Sequence, residues 1–177
     1  MIYKSDVCEN NAVINAAHMM AAASRTAPKA CGIDATDTLI LDGSDKDALA
    51  DKMRELAKTP GMEFFARDAG NIDKSHAIIL IGSSVSPRGL DCRLCGVSTC
   101  AEAKKGGVSC AMSVSDLGIS VGSAASIAAD CRIDNRVLFS AGVAAIQMEL
   151  FPKKIAICFG IGLSVSGKNV YFDRKPI

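Results

Sequence analysis

Ala77-Ile78-Ile79-Leu80-Ile81 is an unbroken apolar run between polar neighbours, the pattern of a strand buried on both faces rather than of an alternating, half-exposed one. Ile155-Ala156-Ile157-Cys158-Phe159-Gly160-Ile161 is a second such run, and Thr38-Leu39-Ile40-Leu41 before Asp42-Gly43-Ser44 reads as a further strand. Helical signals surround these strands. Val13, Ala16, Ala17, Met20 and Ala21 recur at helical spacing within Asp6 to Ser24, and Thr26-Ala27-Pro28 stops that helix. Asp42-Gly43-Ser44 caps a helix from Asp45 to Lys58, ended by Thr59-Pro60-Gly61. Ser115-Asp116 caps one to about Asp130, and Asn135 starts another to about Leu150. Ser166-Gly167-Lys168-Asn169 separates the last long strand from Val170-Tyr171-Phe172, which predicts a terminal hairpin. The expected class is α+β: a mixed sheet flanked by helices, in a single domain over residues 1–177.

Within the helix from Ser115, Leu117, Val121, Ala124 and Ala128 form an apolar stripe beside a row of Gly118, Gly122, Ser126 and Asp130. Such a surface permits close helix packing. Together with the helix from Asn135 it presents more small and apolar surface than one domain of 177 residues readily hides, so a homodimer is expected.

Composition narrows the function. Twenty Lys and Arg against nineteen Asp and Glu leave a net charge of +1, so no global field favours nucleic acid or an acidic membrane surface. With 49% apolar residues the chain can bury a core. The stretches Val137–Leu150 and Ile155–Val165 fall short of the roughly 20 apolar residues of a membrane span. The start, Met1 to Asp6, lacks the apolar core of a secretory signal, and the expectation is a cytoplasmic protein without membrane insertion. Eight cysteines are then expected as thiols serving a metal rather than as disulfides.

Four of those cysteines lie close together, Cys92-x2-Cys95-x4-Cys100-x9-Cys110. A Cys-x-x-Cys turn aims two sulfurs the same way, and Gly96 lets the backbone approach them. Two more thiolates complete a four-sulfur shell for an iron-sulfur cluster. A structural zinc module is the alternative, although zinc sites more often use two Cys-x-x-Cys knuckles. Arg88, Arg93, Lys104 and Lys105 flank the run and suit the negative charge of a thiolate-ligated cluster, or else form a solvated loop. The cluster-binding insertion is expected over residues 88–113.

Cys92-x-x-Cys95-Gly96-x-x-Thr99-Cys100 resembles the 4Fe-4S motif of ferredoxin-type subunits in electron-transfer complexes and of corrinoid iron-sulfur proteins, in which the last interval is longer. Asp116-Leu117-Gly118-Ile119 through Ala129, with Phe159-Gly160-Ile161-Gly162-Leu163-Ser164, resembles a bacterial and archaeal family of ferredoxin-domain proteins of unknown function. The resemblance implies a 4Fe-4S cluster on Cys92, Cys95, Cys100 and Cys110, and electron transfer or redox sensing with a redox partner protein.

A second resemblance, through Ala21 to Pro28, the strand at Leu39, the helix from Asp116 and Phe151-Pro152 with its Gly-rich strand, is to flavin-dependent nitroreductases. That implies a dimer and an FMN-dependent oxidoreductase fed by the cluster. The Arg-x-Ser-x-Arg phosphate clamp of those enzymes is absent here, and Arg25 and Lys29 are the nearby cations that would substitute. Stoichiometric FMN is accordingly not expected.

The other cysteines read differently. Cys131 and Cys158 are expected as small buried hydrophobes, and Cys31 as a loop thiol open to reaction. His18 and His76 have no partner at catalytic spacing. Gly160-x-Gly162 lacks the following helix that a phosphate loop needs.

Overall fold

In the computed structural model, which describes residues 1–172, the chain forms one four-stranded sheet covered by helices on both faces. The elements are α1 (Ser5–Thr26), β1 (Thr36–Asp42), α2 (Gly43–Leu56), α3 (Phe64–Asp73) and β2 (Ala77–Ser83), then α4 (Cys100–Lys105), α5 (Ala111–Asp130), β3 (Asp134–Leu138), α6 (Phe139–Gln147) and β4 (Ile157–Ser164). A single 3-10 turn, Ala30–Gly32, follows α1.

Strand order is β1-β2-β4-β3, and all three pairings are antiparallel. The mixed sheet expected from sequence is therefore corrected. Between β1 and β2 the chain makes two helical passes, α2 and α3, which bring it back to the end of the sheet it left; a single crossover helix would have made the pair parallel.

β2 is buried along its whole length, as the apolar run requires. Its side chains alternate between two cores. Ile78 and Leu80 join Leu49, Met53, Phe65, Ile72 and Ala141 under α2, α3 and α6. Ala77, Ile79 and Ile81 join Val13, Met20, Leu117, Val121 and Ala124 under α1 and α5. The α5 stripe of Leu117, Val121, Ala124 and Ala128 is thus core, while Gly118, Gly122, Ser126 and Asp130 face outward. By length and composition alone α5 is also apolar enough to cross a membrane, although its stripe packs into the core of this fold.

Gly142 and Gly160 bring α6 down onto β4. A Cβ built on Gly142 would lie 1.8 Å from the Cys158 carbonyl oxygen, and one on Gly160 would lie 2.8 Å from the Ala141 Cβ.

Two expectations fail in this part of the chain. Asn135 lies in β3 rather than starting a helix, because the segment pairs with β4 from Asp134↔Ser164 to Leu138↔Gly160; α6 begins only at Phe139. The terminal hairpin is also absent among the described residues, since β2 and β3 already occupy both edges of β4. Val170–Phe172 form a turn instead, and the buried Tyr171 hydroxyl hydrogen-bonds Ser75 Oγ at 2.8 Å.

After β2 the chain leaves the sheet and returns at α5. The Cys110 N–H donates to the Val85 carbonyl at 3.1 Å, so the excursion begins and ends at one place.

Candidate metal centre

The excursion holds the cysteine run. Asp91 and Arg93 adopt left-handed conformations (φ 45 and 61), as does Gly96 (φ 83), and the Gly96 N–H closes a turn on the Arg93 carbonyl at 3.0 Å. This tight winding carries Cys92 and Cys95 around one knuckle. Asp91 then ties the knuckle to α4. Its carboxylate accepts the Cys100 N–H, and its own N–H donates to Cys100 Sγ at 3.4 Å. Thr99 caps α4 by accepting the Glu102 N–H at 3.2 Å, and the Glu102 carboxylate accepts the Ser98 N–H at 3.1 Å. Both bonds satisfy amides at a helix start.

All four cysteines of the run line one narrow cavity of about 10 Å³, together with Asp91, Arg93 and Thr99. Cys92 is exposed, Cys95 and Cys100 are half-buried and Cys110 is buried. A four-thiol donor set suits both an iron-sulfur cluster and zinc. One zinc ion with sulfurs at about 2.3 Å needs them roughly 3.8 Å from each other, whereas a cubane gives each thiolate its own iron and spreads them. Among the described residues no three His, Cys, Asp or Glu side chains form a group that could hold a single ion. The four thiols are the donor set that would hold such a group, and the segment Gly89–Leu94 beside them is exposed.

Of the four cations flanking the run, Arg93 lines the cavity, while Lys104 and Lys105 lie exposed in the last turn of α4. Arg88 is buried and engaged elsewhere. Its Nε and Nη2 donate to Asp116 Oδ2 at 3.2 and 2.9 Å, and Asp116 Oδ1 accepts the Ala30 N–H at 2.9 Å. Asp116 is therefore not the cap expected from sequence: it lies inside α5, one turn in, and faces inward. Neither the Asp91 brace nor this ion pair has a local signal, because each joins residues far apart in sequence.

Arg25 and Lys29, the expected substitutes for a flavin phosphate clamp, are not brought together as one. Arg25 Nη1 bonds Asp34 Oδ2 at 2.8 Å and the Thr36 carbonyl at 3.2 Å. Lys29 Nζ folds over the end of α1 and donates to the carbonyls of Ser24, Arg25 and Ala27. There it answers the negative end of the helix.

The remaining cysteines stand apart from the centre. Cys8 is exposed on α1, Cys131 is half-buried at the end of α5, and Cys158 is buried in β4, where burial pushes its thiol up to about 12. Cys31 is exposed with φ 56, and its Sγ lies 3.9 Å from the Arg88 carbonyl oxygen. His18 is exposed, and His76 Nδ1 accepts the Val165 N–H at 3.4 Å. Gly160 and Gly162 lie inside β4, which removes the phosphate-loop alternative.

Comparison with known proteins bears on the family and the fold. The family model described as "uncharacterized protein containing a ferredoxin domain (DUF2148)" matches residues 106–174, which include Cys110 and all of α5, β3, α6 and β4. An uncharacterized protein of Archaeoglobus fulgidus is 38% identical over 177 residues, covering 95% of each chain. Among solved structures, a nitroreductase with bound FMN from Desulfitobacterium hafniense superposes with a TM-score of 0.60 at 14% identity, over 95% of this chain and 81% of the other. The nitroreductase CinD from Lactococcus lactis, in complex with chloramphenicol, gives 0.58 at 16% identity, over 88% and 78%. The fold is nitroreductase-like.

Proposed function

The chain belongs to the family of uncharacterized proteins containing a ferredoxin domain, and from that premise we propose that it holds a 4Fe-4S cluster on Cys92, Cys95, Cys100 and Cys110. Its work is one-electron transfer or redox sensing toward a partner protein. The observation that carries the reading is the shared cavity of those four thiols. A bound cluster supplies a one-electron couple, and the chain's own residues determine how that couple is held. The Asp91 N–H pointing at Cys100 Sγ offers a hydrogen bond to a ligand sulfur, the kind of contact that tunes a cluster potential. Exposure of Cys92 and Leu94 leaves the centre near the surface, where a partner can approach. All eight cysteines are free thiols, which fits a reducing, cytoplasmic setting.

A second reading, an oxidoreductase in which the cluster feeds FMN, draws on the fold neighbour with bound FMN. The engagement of Arg25 and Lys29 within the chain weighs against it. Anaerobic purification followed by an absorption spectrum separates the readings. A cluster gives broad visible absorption that bleaches on reduction, flavin adds structured bands, and zinc gives neither. A colourless protein carrying stoichiometric zinc overturns the proposal.

A further inference from the structure

A second and roomier cleft, about 420 Å³, lies beside the thiol cavity, and Pro87 borders both. Three segments meet there at one end of the sheet: Ile33–Thr36 leading into β1, Ser84–Arg88 leaving β2, and Lys153–Ile155 before β4. Backbone bonds hold them in place, with the Ser84 N–H on the Ala35 carbonyl at 3.3 Å and the Ala156 N–H on the Ser83 carbonyl at 2.9 Å. The volume falls within the range of small-molecule sites, about 300–1,000 Å³.

The lining is rich in donors. Lys153 and Lys154 are exposed on one wall, and Lys154 has no hydrogen bond or ion pair among the described residues. Ser84 and Ser86 lie on another wall, their hydroxyls 3.0 Å apart. Arg88 also lines the cleft. Its side chain is only 1% exposed, and its Nη1 has no partner although Nε and Nη2 are spent on Asp116. The acidic groups nearby are already answered. Burial opposes the charge on Asp34, yet the Thr36 hydroxyl and N–H together with the Arg25 guanidinium hold its carboxyl below the usual carboxylate range. Asp37 lies 3.9 Å from Lys153 Nζ, a loose pair that still leaves Lys154 over.

We propose that this cleft binds a phosphate-bearing small molecule between Lys153, Lys154, Ser84 and Ser86. A planar carboxylate is best matched by the fork of an arginine, whereas separate ammonium and hydroxyl donors on different walls match the several acceptor oxygens of a tetrahedral phosphate. The chain's net charge of +1 supplies no general attraction for anions, so binding here depends on this local arrangement. The site is independent of the cluster reading, because no cysteine of the centre lines it.

The test is calorimetric titration of the anaerobically purified protein at constant ionic strength with inorganic phosphate and, separately, with glycerol 3-phosphate. Saturable one-site binding is expected for one or both. K153A/K154A should weaken it by about tenfold or more and S84A/S86A several-fold, while K74A, exposed at the opposite end of the sheet where the chain enters β2, leaves it unchanged. Asp37→Asn releases Lys153 and should tighten binding a few-fold. The same affinity in Cys95→Ser would show that the cleft works without the centre, so loss of the cluster reading would leave the site standing. Tighter binding of the ester marks an organic phosphate as the ligand, and equal binding marks phosphate itself. No saturable heat with either probe, or binding unchanged in K153A/K154A, overturns the proposal.

Discussion

Arg88 and Asp116 form a buried ion pair, with Nη2 and Oδ2 2.9 Å apart and side chains only 1% and 4% exposed. The pair ties the start of the cysteine excursion to α5, and through the Ala30 N–H to the turn after α1. Removing one member strands the other's charge away from water. Asp116→Ala should therefore cost about 3–5 kcal/mol in urea denaturation, whereas Arg88→Met with Asp116→Leu should recover much of the loss. Equal destabilisation by the single and double variants would show that the charge is not what matters.

Cys95→Ser should abolish iron incorporation, and Cys8→Ser should leave it intact, because Cys95 lines the shared cavity while Cys8 is exposed on α1. Iron and sulfide analysis of both proteins after anaerobic purification checks this. Equal iron in the two would remove the ligand assignment.

Gly142→Ala should destabilise the fold by about 3 kcal/mol or more, since the added methyl would meet the Cys158 carbonyl and no flexible side chain can yield. Gly70→Ala, in α3 with nothing within 4 Å of the new methyl, should instead stabilise by about 0.5–1 kcal/mol. Urea midpoints of the two variants should move in opposite directions.

Alkaline stability should reflect Cys158. Its thiol titrates near 9.0 when free and is pushed by burial to about 12 in the fold. The native state favours the neutral thiol, so its contribution is complete below pH 9 and lost as pH rises toward 12. Each pH unit in that window costs up to about 1.4 kcal/mol for this group, and Cys158→Ala should flatten the slope. Burial also raises the Tyr171 hydroxyl, whose loss adds to the decline at the upper end. Native alkylation at pH 8 should modify Cys8 and spare Cys158.

The outer face of α5 carries Val114 and Ile119, 36% and 45% exposed, around Gly118 and Gly122, which have open space beside them. We propose that a second copy of the chain covers this face. Light scattering at micromolar concentration should give a dimer mass, and Ile119→Glu should give a monomer of unchanged secondary structure.

Much of the fold could be read from residue order. The buried run at Ala77 is β2, and α1 and α2 lie within a few residues of their expected ends, while α5 ends at Asp130 as expected but begins four residues before the expected Ser115 start. The failures come from long-range pairing. Asn135 to Leu138 has ordinary helical content, yet β4 offers an open edge that claims it, and the same filled edge then denies Val170–Phe172 a partner. α3 had a usable signal in Phe65, Ala69 and Ile72, one apolar face at helical spacing. For the centre, spacing picked out four thiols that do share one cavity. It carried no trace of Arg88 with Asp116, because a contact across 28 positions is set by packing and not by local pattern.

The bond between Cys110 and Val85 also makes the cysteine-bearing excursion a closed cassette. The chain enters and leaves at the same point on the scaffold, so the cost of lengthening it grows only slowly with the number of residues added. A short turn joining those two positions would spare β2 its register with β1 and β4, at the expense of the Arg88 tie. The scaffold and the cysteine-bearing segment can then diverge at separate rates, and the segment, its four thiols included, is the natural unit to graft onto another sheet of this kind.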